Sequence, residues 1–236
     1  MFHVKHDRQA SRTVDWESAA ARYSLCLDLR QGQQLGSLAE WVAERGSRLG
    51  LTHYSTAEEV ALHAILPTFA LFGLHKPCAG ELVLDLGAGS GVLGFTLAVL
   101  APQVHVVLAD RRRRSARFLG LTRARLGLEN TEGREVSAQE LAKEESRGFG
   151  LVCVRALAPG EVTLALAQPL VVPEGALAVW HQSQDPAYLY PSSPWQRQAT
   201  AGTDLPLLSV SIYMIAGAEQ AAGRAAVPAP RPEVEA

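Results

Sequence analysis

The run Leu82-Val-Leu-Asp-Leu-Gly-Ala-Gly-Ser-Gly91 has residue types and spacing suited to holding a small-molecule ligand. Leu82, Val83 and Leu84 read as the end of a buried strand, Asp85 follows, and Gly87, Gly89 and Gly91 alternate. An apolar stretch from Val92 then reads as a helix. In a strand, glycine turn, helix sequence the backbone can approach a ligand closely, because glycine has no side chain to intervene. A dinucleotide turn reads Gly-x-Gly-x-x-Gly and sets a pyrophosphate on the helix N-terminus. Here the turn opens on a carboxylate instead, which suits a ligand with a cationic amino-acid end, such as S-adenosylmethionine. Asp85, Gly87, Ala88, Gly89 and Gly91 are the expected cofactor-turn residues. A second acid, Asp110, ends the apolar run 104–109, 110 − 85 = 25 residues after Asp85. A ribose-binding acid stands roughly 20 residues beyond the glycine turn in nucleotide folds, and a carboxylate there can accept both ribose hydroxyls.

A basic cluster follows at once. Arg111, Arg112, Arg113, Arg114, Arg117, Arg123 and Arg125 put seven arginines in fifteen residues with no acid among them. They form either a solvated helix face, in a chain with only three lysines, or a footprint for nucleic-acid phosphates centred on Arg111 to Arg114. Arginine pairs bidentately with phosphate oxygens. Trp180 and Trp195 are candidates to stack a base, although tryptophans in a chain this apolar are more often packing.

The elements that must position these residues follow from periodicity. Residues 15–74 read as helical, with Trp16, Ala20, Tyr23 and Leu27 on one face. Thr56-Ala-Glu-Glu59 has the form of a capping box, and Pro67 is expected to bend or end the helix behind it. Strands at 82–84, 104–109, 132–136, 150–154 and 176–180 then alternate with helices at 92–100, 115–126, from about 137, and 161–167. This predicts an α/β doubly wound, mostly parallel sheet, with 205–210 and 212–215 as antiparallel edge strands. The expected divisions are a helical extension (1–78), a Rossmann-like cofactor-binding domain (79–218) and a disordered tail rich in Ala, Pro and Glu (219–236).

Composition bounds the rest. A net charge of −2 excludes a uniformly basic nucleic-acid binder. Cys26, Cys78 and Cys153 are scattered and odd in number, so neither a metal site nor a disulfide framework is expected. No run is long and apolar enough to span a membrane, and the opening Met-Phe-His-Val-Lys-His lacks the apolar core of a signal peptide. A cytoplasmic location is the expectation.

With these residues placed, the chain resembles the bacterial 16S ribosomal RNA guanine-N7 methyltransferase family, also called the glucose-inhibited division protein B family. The resemblance runs from about Leu49 to Trp180. It rests on Asp85-Leu-Gly-Ala-Gly-Ser-Gly-Val-Leu-Gly94, on Asp110, Arg114 and Arg117-Phe-Leu119, on Leu126-Gly-Leu-Glu-Asn130, and on Val154-Arg-Ala-Leu-Ala158. The resemblance implies a class I methyltransferase fold, S-adenosylmethionine as cofactor, transfer to N7 of a guanine, and ribosomal RNA or the small ribosomal subunit as partner of a monomer. By the same resemblance Gly87 and Val92 line the methionine side, and Ala138 and Gln139 lie against the adenine. Arg155 sits at the mouth of the site, where it would hold guanine O6 or a phosphate.

The sequence also departs from the family. A family arginine falls on Ser137, and the Lys-Gly after the fifth strand falls on His181-Gln182. An Arg-His-x-x-Asp-Ser stretch stands here as Leu62-His63-Ala-Ile-Leu-Pro67. His181 is either a satisfied structural histidine or the replacement for that lysine beside the base, and Arg155 and His181 are the expected catalytic residues. Two other readings stay open: a divergent relative that binds S-adenosylmethionine but modifies another substrate or none, and a nicotinamide-dependent oxidoreductase. The last lacks a Tyr-x-x-x-Lys pair downstream.

Overall fold

The computed structural model describes residues 14–144, 148–189, 191, 194–203, 205 and 207–215. The expected tail (219–236) and the opening hexapeptide lie outside them. Seven strands form one sheet: β1 (Leu82–Leu86), β2 (His105–Asp110), β3 (Thr131–Glu135), β4 (Phe149–Arg155), β5 (Val171–Gln182), β6 (Trp195–Gly202) and β7 (Leu208–Ile215). Helices α1 (Trp16–Ala21), α2 (Leu29–Trp41), α3 (Ala57–Val60) and α4 (Leu66–Phe69) precede the sheet. Helices α5 (Val92–Leu100), α6 (Arg113–Leu126), α7 (Ala138–Glu144) and α8 (Gly160–Ala167) cross between the parallel strands, and α9 (Pro186–Leu189) follows β5. The strand order is 3-2-1-4-5-7-6, with β7 antiparallel to both its neighbours. The doubly wound expectation holds.

The edge differs. Residues 208–215 form one strand, not parts of two, and its outer partner β6 comes earlier in the chain. An edge strand need bury little, and in β6 only Trp195 is buried, so its sequence carries almost no apolar signal. The helical face expected across Trp16, Ala20, Tyr23 and Leu27 is also broken, because α1 stops at Ala21 and Ser24 is left-handed (φ 56°).

Strand alternation sorts the core into two faces. Val83, Val106, Leu108, Leu151, Cys153 and Trp180 face α5, α6 and the N-terminal helices in one continuous apolar cluster. Leu84, Val107, Val152, Leu177 and Val179 form the opposite cluster, with Leu141 of α7, Leu164 of α8 and Tyr188 of α9. Side chains of α2 fasten the first layer. The last carbonyls of a helix lack intrahelical donors. Gln31 Nε2 donates to the Val99 carbonyl at the end of α5 (2.7 Å), and Gln34 Nε2 to the Leu126 carbonyl at the end of α6 (2.9 Å). Trp41 stacks on Phe118 (centroids 5.9 Å apart) and donates its indole N–H to Thr122 Oγ1.

Pro67 neither ends nor breaks the helical path from 57 to 73. The path runs through α3, a π-helical turn (Ala61–Ile65), α4 and a 3-10 turn (Ala70–Gly73). The capping box forms as expected: Glu59 N–H donates to Thr56 Oγ1, and Thr56 N–H to Glu59 Oε2, both at 3.1 Å. Proline has no N–H to give the carbonyl four residues back. That carbonyl belongs to His63, and its replacement donor comes from the sheet.

Candidate cofactor site

Asp85, Asp110 and Arg155 share one face of the sheet because the parallel register lines them up. Asp85 pairs with Leu108 and with Cys153, and Asp110 and Arg155 stand two residues beyond these along their strands. All three lie at the carboxyl ends, where open α/β sheets bind ligands. Asp85 is not the last residue of β1 but is buried within it. One of its oxygens accepts the Gly94 N–H in the first turn of α5 (2.8 Å). A Cβ on Gly94 would stand 2.7 Å from Leu108 and 2.9 Å from that oxygen, so glycine is required for α5 to pack this closely. Burial pushes the Asp85 carboxyl up to about 7, opposed by the Gly94 hydrogen bond and raised further by Asp110.

The turn itself is left-handed at Gly87, Gly89 and Gly91 (φ 77°, 60° and 75°). Four of its amides are used inside the protein. Gly87 and Ala88 donate to the Ala109 carbonyl, Gly91 to the Ala88 carbonyl, and Gly89 to Asp110 Oδ2. A turn that commits four of its amides this way keeps fewer donors for a pyrophosphate than an open phosphate cradle does. What it offers instead is two carboxylates. These acceptors fit a ligand that donates from ribose hydroxyls and an ammonium group.

Asp110 is itself engaged. Besides Gly89, it accepts the backbone N–H of Arg112 (2.9 Å) and both prongs of the Arg112 guanidinium (3.1 and 3.0 Å). These bonds hold its carboxyl below the usual carboxylate range, against burial, which works in the opposite direction. The sequence places Arg112 among the phosphate-binding arginines, but its charge is committed to Asp110. Arg111, Arg113 and Arg114 are exposed at the start of α6 and have no partner among the described residues. Farther along, Arg123 pairs with Glu129, and Arg125 lies over the Trp41 ring.

Ala138 and Gln139 open α7 beside the end of β3, Ala138 half-buried and Gln139 exposed. Val92 opens α5 and is buried. Ser137, at the family's arginine position, caps α7: its hydroxyl accepts the Glu140 N–H (3.2 Å) and donates to Glu140 Oε2 (2.6 Å).

The two expected catalytic residues do not meet. Arg155 sends its guanidinium into the N-terminal helices, donating to the His63 carbonyl and to the Ala64 carbonyl (2.8 Å). It supplies the donor that Pro67 withholds and so tethers the helices. His181 points to the opposite face of the sheet. Its two ring nitrogens lie 2.8 Å from Ser211 Oγ and 2.7 Å from the Gln182 carbonyl, and the ring stacks on Tyr188. Burial lowers its pKa. His181 is a satisfied structural histidine and does not inherit a lysine's place beside a base. Trp180 and Trp195 are buried too, donating to the Pro67 and Leu164 carbonyls.

The rings beside the site lie elsewhere. Tyr54 stands between His53 (centroids 4.0 Å apart) and His63 (5.6 Å) and interacts with Arg155. His53 is exposed, and Tyr54 and His63 are half-buried. Nothing in the sequence spacing pairs 53 and 54 with 63, so the cluster is visible only in the fold. Beyond Arg155 the chain turns through left-handed Ala156 (φ 52°), and Leu157 comes to lie where a Gly87 side chain would stand.

The sheet order, the glycine turn after β1 and the acid ending β2 define a class I methyltransferase fold. The chain belongs to the rRNA small subunit methyltransferase G family, whose model matches residues 31–187. The Cupriavidus necator protein of that name is 29% identical over 152 residues, covering 64% of this chain and 61% of its own. The Chlorobium luteolum protein is 30% identical over 177 residues, covering 74% and 71%. The chain thus spans 61% of the Cupriavidus relative, and 55% of the one from Caldanaerobacter subterraneus. Among solved structures, TrmN from Thermus thermophilus superposes with a TM-score of 0.53 at 17% identity, covering 67% of this chain and 52% of its own. A mutant of MtNAS crystallised with S-adenosylmethionine gives 0.54 at 15%, covering 78% and 72%. These likenesses show the fold.

Proposed function

We propose that the protein is an S-adenosylmethionine-dependent methyltransferase acting on N7 of a guanine in 16S ribosomal RNA. The observation that carries this reading is the pair Asp85 and Asp110, on one sheet face at either side of the glycine turn. Bound there, S-adenosylmethionine would supply a methyl group already activated on a sulfonium. Asp110 would accept ribose hydroxyls, Ala138 and Gln139 would border the adenine, and Asp85 would set a negative charge near the amino-acid end.

Guanine N7 carries a lone pair and no proton, so the acceptor needs positioning rather than a general base. The chain meets that need with rigid elements. Arg155 and Trp180 fix the helix bearing His63 against the ends of β4 and β5. The exposed ring of His53 and the half-buried rings of Tyr54 and His63 then stand at the mouth, where an unstacked base could lie against them. Arg111, Arg113 and Arg114 would hold RNA phosphates. Cations at a helix N-terminus oppose the macrodipole, so their placement there favours an external anion as their partner. The protein is read as a monomer that acts in the cytoplasm; no helix among the described residues is long and apolar enough to cross a membrane.

The structural use of Ser137 and His181, where the family has arginine and lysine, favours one alternative: a relative that binds the cofactor and modifies another substrate, or none. Mass spectrometry of 16S ribosomal RNA from a strain lacking the protein decides between them. Loss of one N7-methylguanosine, restored by the gene, supports the proposal. An unchanged methylation pattern, with S-adenosylmethionine binding seen by calorimetry, supports the alternative.

A further inference from the structure

We propose that Arg112 couples cofactor binding to RNA binding by exchanging partners at Asp110. The inference rests on the reading of Asp110 as the ribose acid, and it concerns what now occupies that acid. Both Asp110 oxygens are engaged by one guanidinium, Nε on Oδ1 and Nη2 on Oδ2. The guanidinium also lies over the open side of the turn, with Nη2 3.7 Å from where a Cβ of Gly89 would stand. Asp110 is buried, whereas the Arg112 side chain is about half exposed (4% against 48%). The carboxylate is therefore fixed and the arginine is the partner able to leave.

Ribose hydroxyls and the Arg112 fork require the same two oxygens. When hydroxyls take them, the guanidinium swings out beside Arg111, Arg113 and Arg114, which are exposed and partnerless among the described residues. The basic patch then presents four cations in place of three. An RNA phosphate that engages Arg112 in turn removes the competitor from Asp110. Because coupling of two binding equilibria is reciprocal, each ligand tightens the other by the same factor. The exposure of the arginine side lets water take over its donors as it leaves.

The test uses the full chain, S-adenosylhomocysteine and a fluorescently labelled 16S RNA fragment. By calorimetry, Arg112→Gln is expected to bind S-adenosylhomocysteine tighter than the natural protein by up to about fivefold. By anisotropy, S-adenosylhomocysteine should tighten RNA binding by the natural protein and steepen its salt dependence by about one phosphate contact. Both effects should vanish in Arg112→Gln. Arg112→Lys keeps the charge without the two-pronged grip and should retain the RNA effect at reduced size. Equal S-adenosylhomocysteine affinities in natural and Gln proteins, or RNA affinity indifferent to S-adenosylhomocysteine, would overturn the exchange. Failure of both proteins to bind S-adenosylhomocysteine would instead sink the cofactor reading itself.

Discussion

Asp85 and His181 are both buried and titratable, and their pH effects have opposite signs. The folded pKa of Asp85 is about 7, against 3.8 for the ordinary carboxyl. A carboxyl raised in this way contributes stability below pH 3.8, which is lost as the pH rises toward 7. Asp85→Asn keeps an acceptor for the Gly94 N–H and removes the charge. Its melting temperature should exceed that of the natural protein at pH 8, by the equivalent of a few kcal/mol at about 1.4 per pKa unit. The gap should close toward pH 4; a gap independent of pH would refute the account. Burial depresses His181 below 6.5. Its stabilising effect is full above 6.5 and is lost progressively as the pH falls from there toward the folded value. His181→Ala leaves Ser211 with one partner fewer on a buried face and should cost about 2 kcal/mol. Cofactor affinity, measured by calorimetry, should be unchanged.

At the scale of elements, the helix from 57 to 73 and the end of β4 form one unit through a missing hydrogen bond. Pro67 cannot donate to the His63 carbonyl, and Arg155 does so from 92 residues away. Arg155→Met should destabilise the protein by about 2 kcal/mol, because the His63 and Ala64 carbonyls each lose a charged donor and Ala64 keeps only Thr68 Oγ1 among the described side chains. Pro67→Ala returns an N–H at the right position. In that background the cost of Arg155→Met should fall by about 1 kcal/mol, which a double-mutant denaturation cycle reads directly. Strictly additive effects would show that the two residues do not share the carbonyl. The capping box at Thr56 was legible from four residues, whereas this tether was not. Nothing local announces that a proline's orphaned acceptor will be met from another strand.

Over the whole molecule, one apolar cluster runs from Ala19 through Leu71 and Phe95 to Ile212. The N-terminal helices therefore have no separate core to melt. Trp16 and Trp41 report on the helices and Trp180 and Trp195 on the sheet, so thermal unfolding followed by near-UV circular dichroism and by fluorescence should give coincident single transitions. A distinct early transition in Trp16 or Trp41 would mean that the helices unfold on their own.

The sequence by itself determined the alternation of strands and helices, the glycine turn, the two acids and the family. These are signals carried by neighbours in the chain: apolar period, glycine spacing, a carboxylate at a strand end. It could not determine which of those residues face one another. Arg155 pairs in register with Trp180, and His181 is one residue further on, so the pleat turns it to the far side of the sheet. Only the register of the assembled sheet decides that parity. Likewise the sequence read Arg112 as one of four equivalent arginines, and the fold alone placed it on Asp110. The edge strand β6 escaped for the complementary reason: a strand that buries one residue leaves no pattern to read.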